Sequence, residues 1–145
     1  MMNVFVSGQI NEKEGIQRIY SALEEIGIFI THDWTQTDDV AKSEKDSIEA
    51  GKRAEKDILG VCKADIYLII TDNARCGKGM YVELGAALAL AESGKDISIY
   101  VVGPKNHPSI FYSHPRCAHF NTIDLCIAHI ARQHSELNRR EKALA

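Results

Sequence analysis

The stretch "ADIYLIITDNARCGKGMYVELGAALAL", residues 64–90, decides the fold. From Ile66 to Thr71 the residues are apolar almost without interruption and do not alternate. A strand of that kind is buried on both faces, as a central strand of a parallel sheet is. A polar turn punctuated by Gly77 and Gly79 follows, and then a helical run over Met80–Ser93 that Gly94 stops. A parallel strand leading into a helix is one step of a crossover, so more such steps are expected on either side.

Upstream, "NVFVSG" (3–8) reads as the first strand, and "NEKEGIQRIYSALEEIG" (11–27) as a helix. Ile16, Ile19, Tyr20, Leu23 and Ile26 recur at helical spacing, and Gly27 is the stop. "IFITHDW" (28–34) is the second strand, and the polar residues 35–45 read as a surface loop or lid. A second helix is predicted over Asp46–Cys62, with Ile48, Ile58, Leu59 and Cys62 on its buried side. Downstream, "ISIYVVG" (97–103) is the fourth strand. A loop with Pro104, Pro108 and Pro115 leads to a short fifth strand at Ala118–Phe120. A last helix is expected over Ile123–Leu137, with a charged tail that frays after about residue 138. The pattern gives one α/β domain over residues 1–145. It is doubly wound and flavodoxin-like, with a parallel five-stranded sheet in the order 2-1-3-4-5 and helices on both faces.

Composition narrows the function classes. Of the 145 residues 45% are apolar and 26% charged, the profile of a globular domain and not of a disordered chain. The formal net charge is -3 with the signs interspersed, so no basic footprint for a nucleic-acid polymer is present. No apolar run approaches the roughly 20 residues that span a membrane, and the N-terminus lacks the basic flank of a signal peptide. Cys62, Cys76, Cys117 and Cys126 form no C-x-x-C pair or zinc spacing. Free thiols in a reducing cytoplasm are the expectation, with neither metal nor cofactor.

In a sheet of this order ligands bind at the carboxyl ends of the strands, between the first and third. Ser7, Gly8 and Gln9 end the first strand there. Asp72 follows the third, then Gly77 and Gly79 lead to Glu83. His32, Asp33 and Trp34 lie at the margin, where His32 and Trp34 can stack on or hydrogen-bond a planar base, or simply close the strand. The "GKG" turn is neither a G-x-G-x-x-G fingerprint nor a P-loop, and its glycines are expected to serve positive φ angles. Glu83 falls near the start of its helix, where the macrodipole favours an ionised carboxylate. That suits helix stability and chemistry alike. Glycosidic cleavage commonly uses two carboxyls. Asp65 opens the third strand at the far end, Asp72 can equally cap the turn, and Asp57 lies on the preceding helix. The remaining histidines show no metal spacing, and His129 reads as helix surface.

The segments "VFVSGQI", "GIQRIYSALEEIG", "THDWT", "EKDILGVCKADIYLII" and "GKGMYVELGAALAL" together resemble the nucleoside 2-deoxyribosyltransferase superfamily, which includes the 2'-deoxynucleoside 5'-phosphate N-hydrolases. The resemblance runs over roughly residues 3–104. It implies that Glu83 attacks the anomeric carbon of the sugar and that Asp57 positions or protonates the reacting groups; Ser7, Gly8, Gln9, His32, Trp34, Asp72, Gly77 and Gly79, at the carboxyl edge of the sheet, are expected to surround the substrate. The expected activity is cleavage of the N-glycosidic bond of a (2'-deoxy)nucleoside or nucleoside 5'-monophosphate, with transfer to a base or to water. The loop "SGQINEKEG" is shorter than in the nucleotide hydrolases and has no arginine, which leaves a 5'-phosphate pocket open. Two other readings stand beside it: a non-catalytic module that binds or senses nucleotides, and an NAD glycohydrolase of the TIR kind. The partner is a small nucleoside or nucleotide, with no membrane or nucleic-acid polymer. A homodimer or higher homo-oligomer is expected, Ile110, Phe111 and Tyr112 being apolar for a loop.

Overall fold

Residue parity along the strands sorts the core into two layers. In β1 (Asn3–Ser7), Phe5 and Ser7 point to one face and Val4 and Val6 to the other. β3 (Ile66–Ile70) lies beside it in parallel register, with Val4 opposite Ile66 and Ser7 opposite Ile69. The computed structural model describes residues 1–9, 12–36, 47–71, 78–105 and 109–145. The remaining strands are β2 (Phe29–Ile30), β4 (Ser98–Val102) and β5 (Cys117–Phe120). All pair in parallel in the order β2-β1-β3-β4-β5.

Helices α1 (Lys13–Glu25) and α4 (Ile123–Leu144) cover the face that holds Val4, Val6, Leu68 and Tyr100. α2 (Ser47–Lys63) and α3 (Lys78–Glu92) cover the other, with Phe5, Tyr67, Ile99 and Val101. The glycine stops behave as their residue type dictates. Gly27 and Gly94 take φ of 82° and 99°. Ile28 N–H then donates to the Leu23 carbonyl at 3.0 Å, and Lys95 N–H to that of Leu90 at 3.0 Å. Both are Schellman endings.

Three sequence expectations are corrected here. Three of the four residues expected on the buried side of α2 are not there: Ile48 and Leu59 are 73% and 46% exposed, and Cys62 is exposed too, while Ile58 is half-buried. The stripe that meets the sheet is Asp57, Gly60, Val61 and Ala64, rotated by part of a turn. Gly60 decides the rotation, because a Cβ there would meet His32 Cβ and Phe5 Cδ2 at 2.9 Å, so the backbone packs where no side chain fits. α4 does not stop near Leu137 but runs to Leu144, exposed from Ser135 onward. His129 is no free surface residue: its ring lies 5.5 Å from Tyr100, edge-on, and 5.2 Å from Phe120. Among the described residues, no helix is long and apolar enough to cross a membrane.

Candidate active site

β2 stops after Ile30, and this shapes the carboxyl edge of the sheet. Thr31 N–H still reaches the Val4 carbonyl at 2.9 Å, but the next carbonyl, that of Val6, has no strand beside it. The Trp34 indole N–H fills that place at 2.7 Å. The expected stacking or hydrogen bonding to a base is therefore narrowed, since this donor already serves the fold. Asp33 holds the turn that delivers Trp34, a short 3-10 helix over Trp34–Gln36. It accepts from Thr35 N–H at 3.0 Å and from Gln36 Nε2 at 2.9 Å. Although burial acts to raise its pKa, these hydrogen bonds hold Asp33 below the usual carboxylate range.

Ser7 ends β1, fully buried, and its Oγ donates to Glu83 Oε2 at 3.4 Å. The side chain of Glu83 thus lies over the carboxyl edge between β1 and β3, the switch point of the sheet. It is the sixth residue of α3, so it sits in the second turn rather than the first. The expectation of a dipole-stabilised, ionised carboxylate is overturned. Burial first, and the charge of Asp57 second, push Glu83 up to about 8, against the hydrogen bond from Ser7. Burial therefore favours the protonated form of this carboxyl at neutral pH.

Asp57 comes from the buried stripe of α2. Burial raises its pKa, with His32 opposing. His32 Nε2 lies 3.4 Å from Asp57 Oδ1. Gly60, one turn on, lets α2 approach closely enough for this contact. The two carboxyls therefore share one electrostatic environment, which is the arrangement in which one proton serves a pair.

Of the other predicted positions, Gly8 packs where an added Cβ would lie 2.7 Å from Ile16 Cδ1 and 3.9 Å from Trp34. Gln9 is buried, and its Nε2 has no hydrogen-bond partner among the described residues. Gly79 is inside α3 with open space where a Cβ would be and no positive φ, contrary to the role expected for it. Asp72, Gly77, Cys76 and most of the expected lid (37–45) lie outside the described residues. Asp65 stays at the opposite end of the sheet, where its Oδ2 accepts from Asn3 N–H at 2.8 Å. Among the described residues, no group of three or more His, Cys, Asp or Glu is arranged to hold a metal ion.

Sequence reasoning did not place Tyr67 at the site. Tyr67, on β3, is fully buried, and burial together with the Glu83 charge raises its pKa well above the ordinary value. Its hydroxyl donates to the Met80 carbonyl at 3.2 Å, tying β3 to the start of α3. Tyr20, on α1, is buried, and burial first, then the charges of Asp33, Glu83 and Asp57, hold its hydroxyl well above the ordinary range. The helical spacing identifies Tyr20 as core, which its ring is. Nothing in the spacing tells where the hydroxyl ends.

No family model matches the chain, and no curated protein matches it. Among solved structures, the Clostridium botulinum CMP N-glycosidase BcmB is similar with a TM-score of 0.57. The match covers 88% of this chain and 97% of that one at 16% sequence identity, and is a likeness of fold.

Proposed function

We propose that this protein cleaves the N-glycosidic bond of a (2'-deoxy)nucleoside or nucleoside 5'-monophosphate, with Glu83 as nucleophile and Asp57 as proton donor. The observation that carries the reading is the carboxyl pair at the switch point, with Glu83 accepting from Ser7 and its pKa raised by burial first and by the Asp57 charge second. The likeness to a CMP N-glycosidase in fold supports it.

Cleavage builds positive charge on the sugar, and a carboxylate against the anomeric carbon stabilises it and can trap it covalently. In the first step the bond from Glu83 oxygen to C1' forms and the C1'–N bond breaks. The pair holds one proton at neutral pH. With that proton on Asp57 and the charge on Glu83, the proton passes to the departing base nitrogen, so the step is balanced. Water or an acceptor base then attacks C1', and Glu83 leaves as a carboxylate. Either acceptor loses one proton as it bonds to C1', the water from its O–H and the base from its ring N–H, and that proton returns to Asp57. His32, beside Asp57, fixes the orientation of that carboxyl.

The homo-oligomer expected from the sequence remains part of the proposal: Ile110 and Phe111 are 82% and 55% exposed, while Tyr112 packs inward. Light scattering checks it. The functional reading is tested by incubating the protein with deoxynucleosides and their 5'-monophosphates, with and without an acceptor base. Base release is expected from at least one, and Glu83→Ala should abolish it while leaving the circular dichroism spectrum unchanged. A folded wild-type protein that releases no base from any of them overturns the reading.

A further inference from the structure

Tyr67 stands where a phenylalanine would serve the core as well. It is fully buried on the face of the sheet that α2 and α3 cover, and its ring stacks on that of Phe5, its register partner in β1, at 6.1 Å. The two rings do the same packing, and only one carries a hydroxyl. Burying a hydroxyl costs free energy unless it is bonded. This one reaches the Met80 carbonyl at 3.2 Å. That bond is not one the helix lacks, because a carbonyl at that position of α3 already takes the N–H four residues on. The hydroxyl therefore calls for a reason outside the packing.

Its neighbours supply one. Met80 precedes Glu83 by three residues in α3, so the hydroxyl lies at the turn of helix that carries the carboxyl. Ser7, two residues beyond Phe5 on β1 and on the same face, hydrogen-bonds the Tyr67 hydroxyl and donates to Glu83 Oε2 at 3.4 Å. Ser7 has one proton, and it goes to the carboxyl. Tyr67 keeps its own proton, held there by burial first and by the Glu83 charge second, and shares it between the Met80 carbonyl and Ser7 Oγ. The donors then run one way, from Tyr67 through Ser7 to Glu83, and each bond in such a chain strengthens the next. The chain ends on Oε2, which leaves Oε1 to face the anomeric carbon.

We propose that Tyr67 is a positioning residue for the reaction: through Ser7 it holds Glu83 Oε2 in place, so that Oε1 is presented to C1'. This rests on the glycosidic reading above and adds to it the group that aims the nucleophile. Being fully buried, Tyr67 touches no substrate, so its effect falls on the chemical step and not on binding.

The test compares Tyr67→Phe, Ser7→Ala and the double variant with wild type, on a deoxynucleoside or 5'-monophosphate from which the wild type releases base. Tyr67→Phe should lower kcat about five- to tenfold, the worth of one hydrogen bond, with KM within about twofold of wild type. Ser7→Ala should lower kcat by at least as much. Adding Tyr67→Phe to it should cost nothing further, because the chain is already cut. Circular dichroism checks that each variant is folded. A fall confined to KM, an unchanged kcat, or a double variant whose losses multiply overturns the assignment of Tyr67 while leaving the glycosidic reading intact. Should Tyr67→Phe not fold, Ser7→Ala decides alone: a fall in kcat at constant KM supports the assignment, and an unchanged kcat overturns it. Absence of turnover by the wild type overturns the glycosidic reading, and this assignment with it.

Discussion

Replacing Glu83 by glutamine should make the protein more stable at alkaline pH, and by an amount that grows with pH. The folded state holds Glu83 at about 8 against an ordinary 4.5. Between those values the folded chain keeps a proton that the unfolded chain has lost. The unfolded state then binds fewer protons, so stability falls as pH rises. The favourable contribution is complete below 4.5 and gone above about 8. Each pH unit in the window is worth about 1.4 kcal/mol, and the whole span about 5 kcal/mol as a ceiling. Glutamine has nearly the same shape, can still accept from Ser7, and has no charge to form. Urea unfolding of wild type and Glu83→Gln at intervals from pH 4 to 9 reads the effect of the pair, because titrating groups that do not interact with Glu83 cancel in the difference. The difference should start near zero, climb through the window and level off above about pH 8. Against a total stability of about 5–15 kcal/mol such a climb is large. A flat difference, or one that shrinks as pH rises, would mean that Glu83 is not held neutral by burial, and the reasoning about a shared proton would fall with it.

Two further outcomes follow from the same geometry. The active form of the pair has Glu83 ionised and one proton on Asp57, so kcat/KM should fall as pH rises past about 8, where the pair loses its last proton; a profile that keeps climbing above that value shows that the proton is not used. Gly60→Ala places a Cβ 2.9 Å from both His32 and Phe5. Overpacking of about 1–3 kcal/mol should exceed the gain of about 1 kcal/mol in helix propensity, giving net loss in urea unfolding and, because α2 carries Asp57, a lower kcat.

The strand order was legible because β3 and β4 are apolar throughout and the glycines at 27 and 94 stop their helices where the pattern ends. The face of α2 was misread for an identifiable reason. Its apolar residues, Ile48 and Leu59 among them, are exposed, while its packing stripe contains a glycine and an aspartate. Hydrophobic spacing finds a helix face by its large side chains. It does not find a face where close approach is made by the absence of one. That same rotation brings Asp57 inward and accounts for its raised pKa. The misreading of the helix and the interest of Asp57 therefore have one cause.

The charge on Glu83 was misjudged by comparing the wrong magnitudes. A helix dipole favours an ionised carboxylate by about 0.3–1 kcal/mol, and only near the first turn. Burial beside a second carboxyl works the other way, by several times as much, and it does so in the second turn, where the dipole has faded. A sequence shows the distance of Glu83 from the helix start, and hence the weaker effect. The stronger one depends on residues far apart in the chain, Ser7 at the end of β1 and Asp57 on α2, that come together only when the sheet assembles. The consequence is chemical. A nucleophile that were ionised throughout would need an outside proton for the departing base, whereas a pair that enters the reaction with one proton already carries what the leaving group needs.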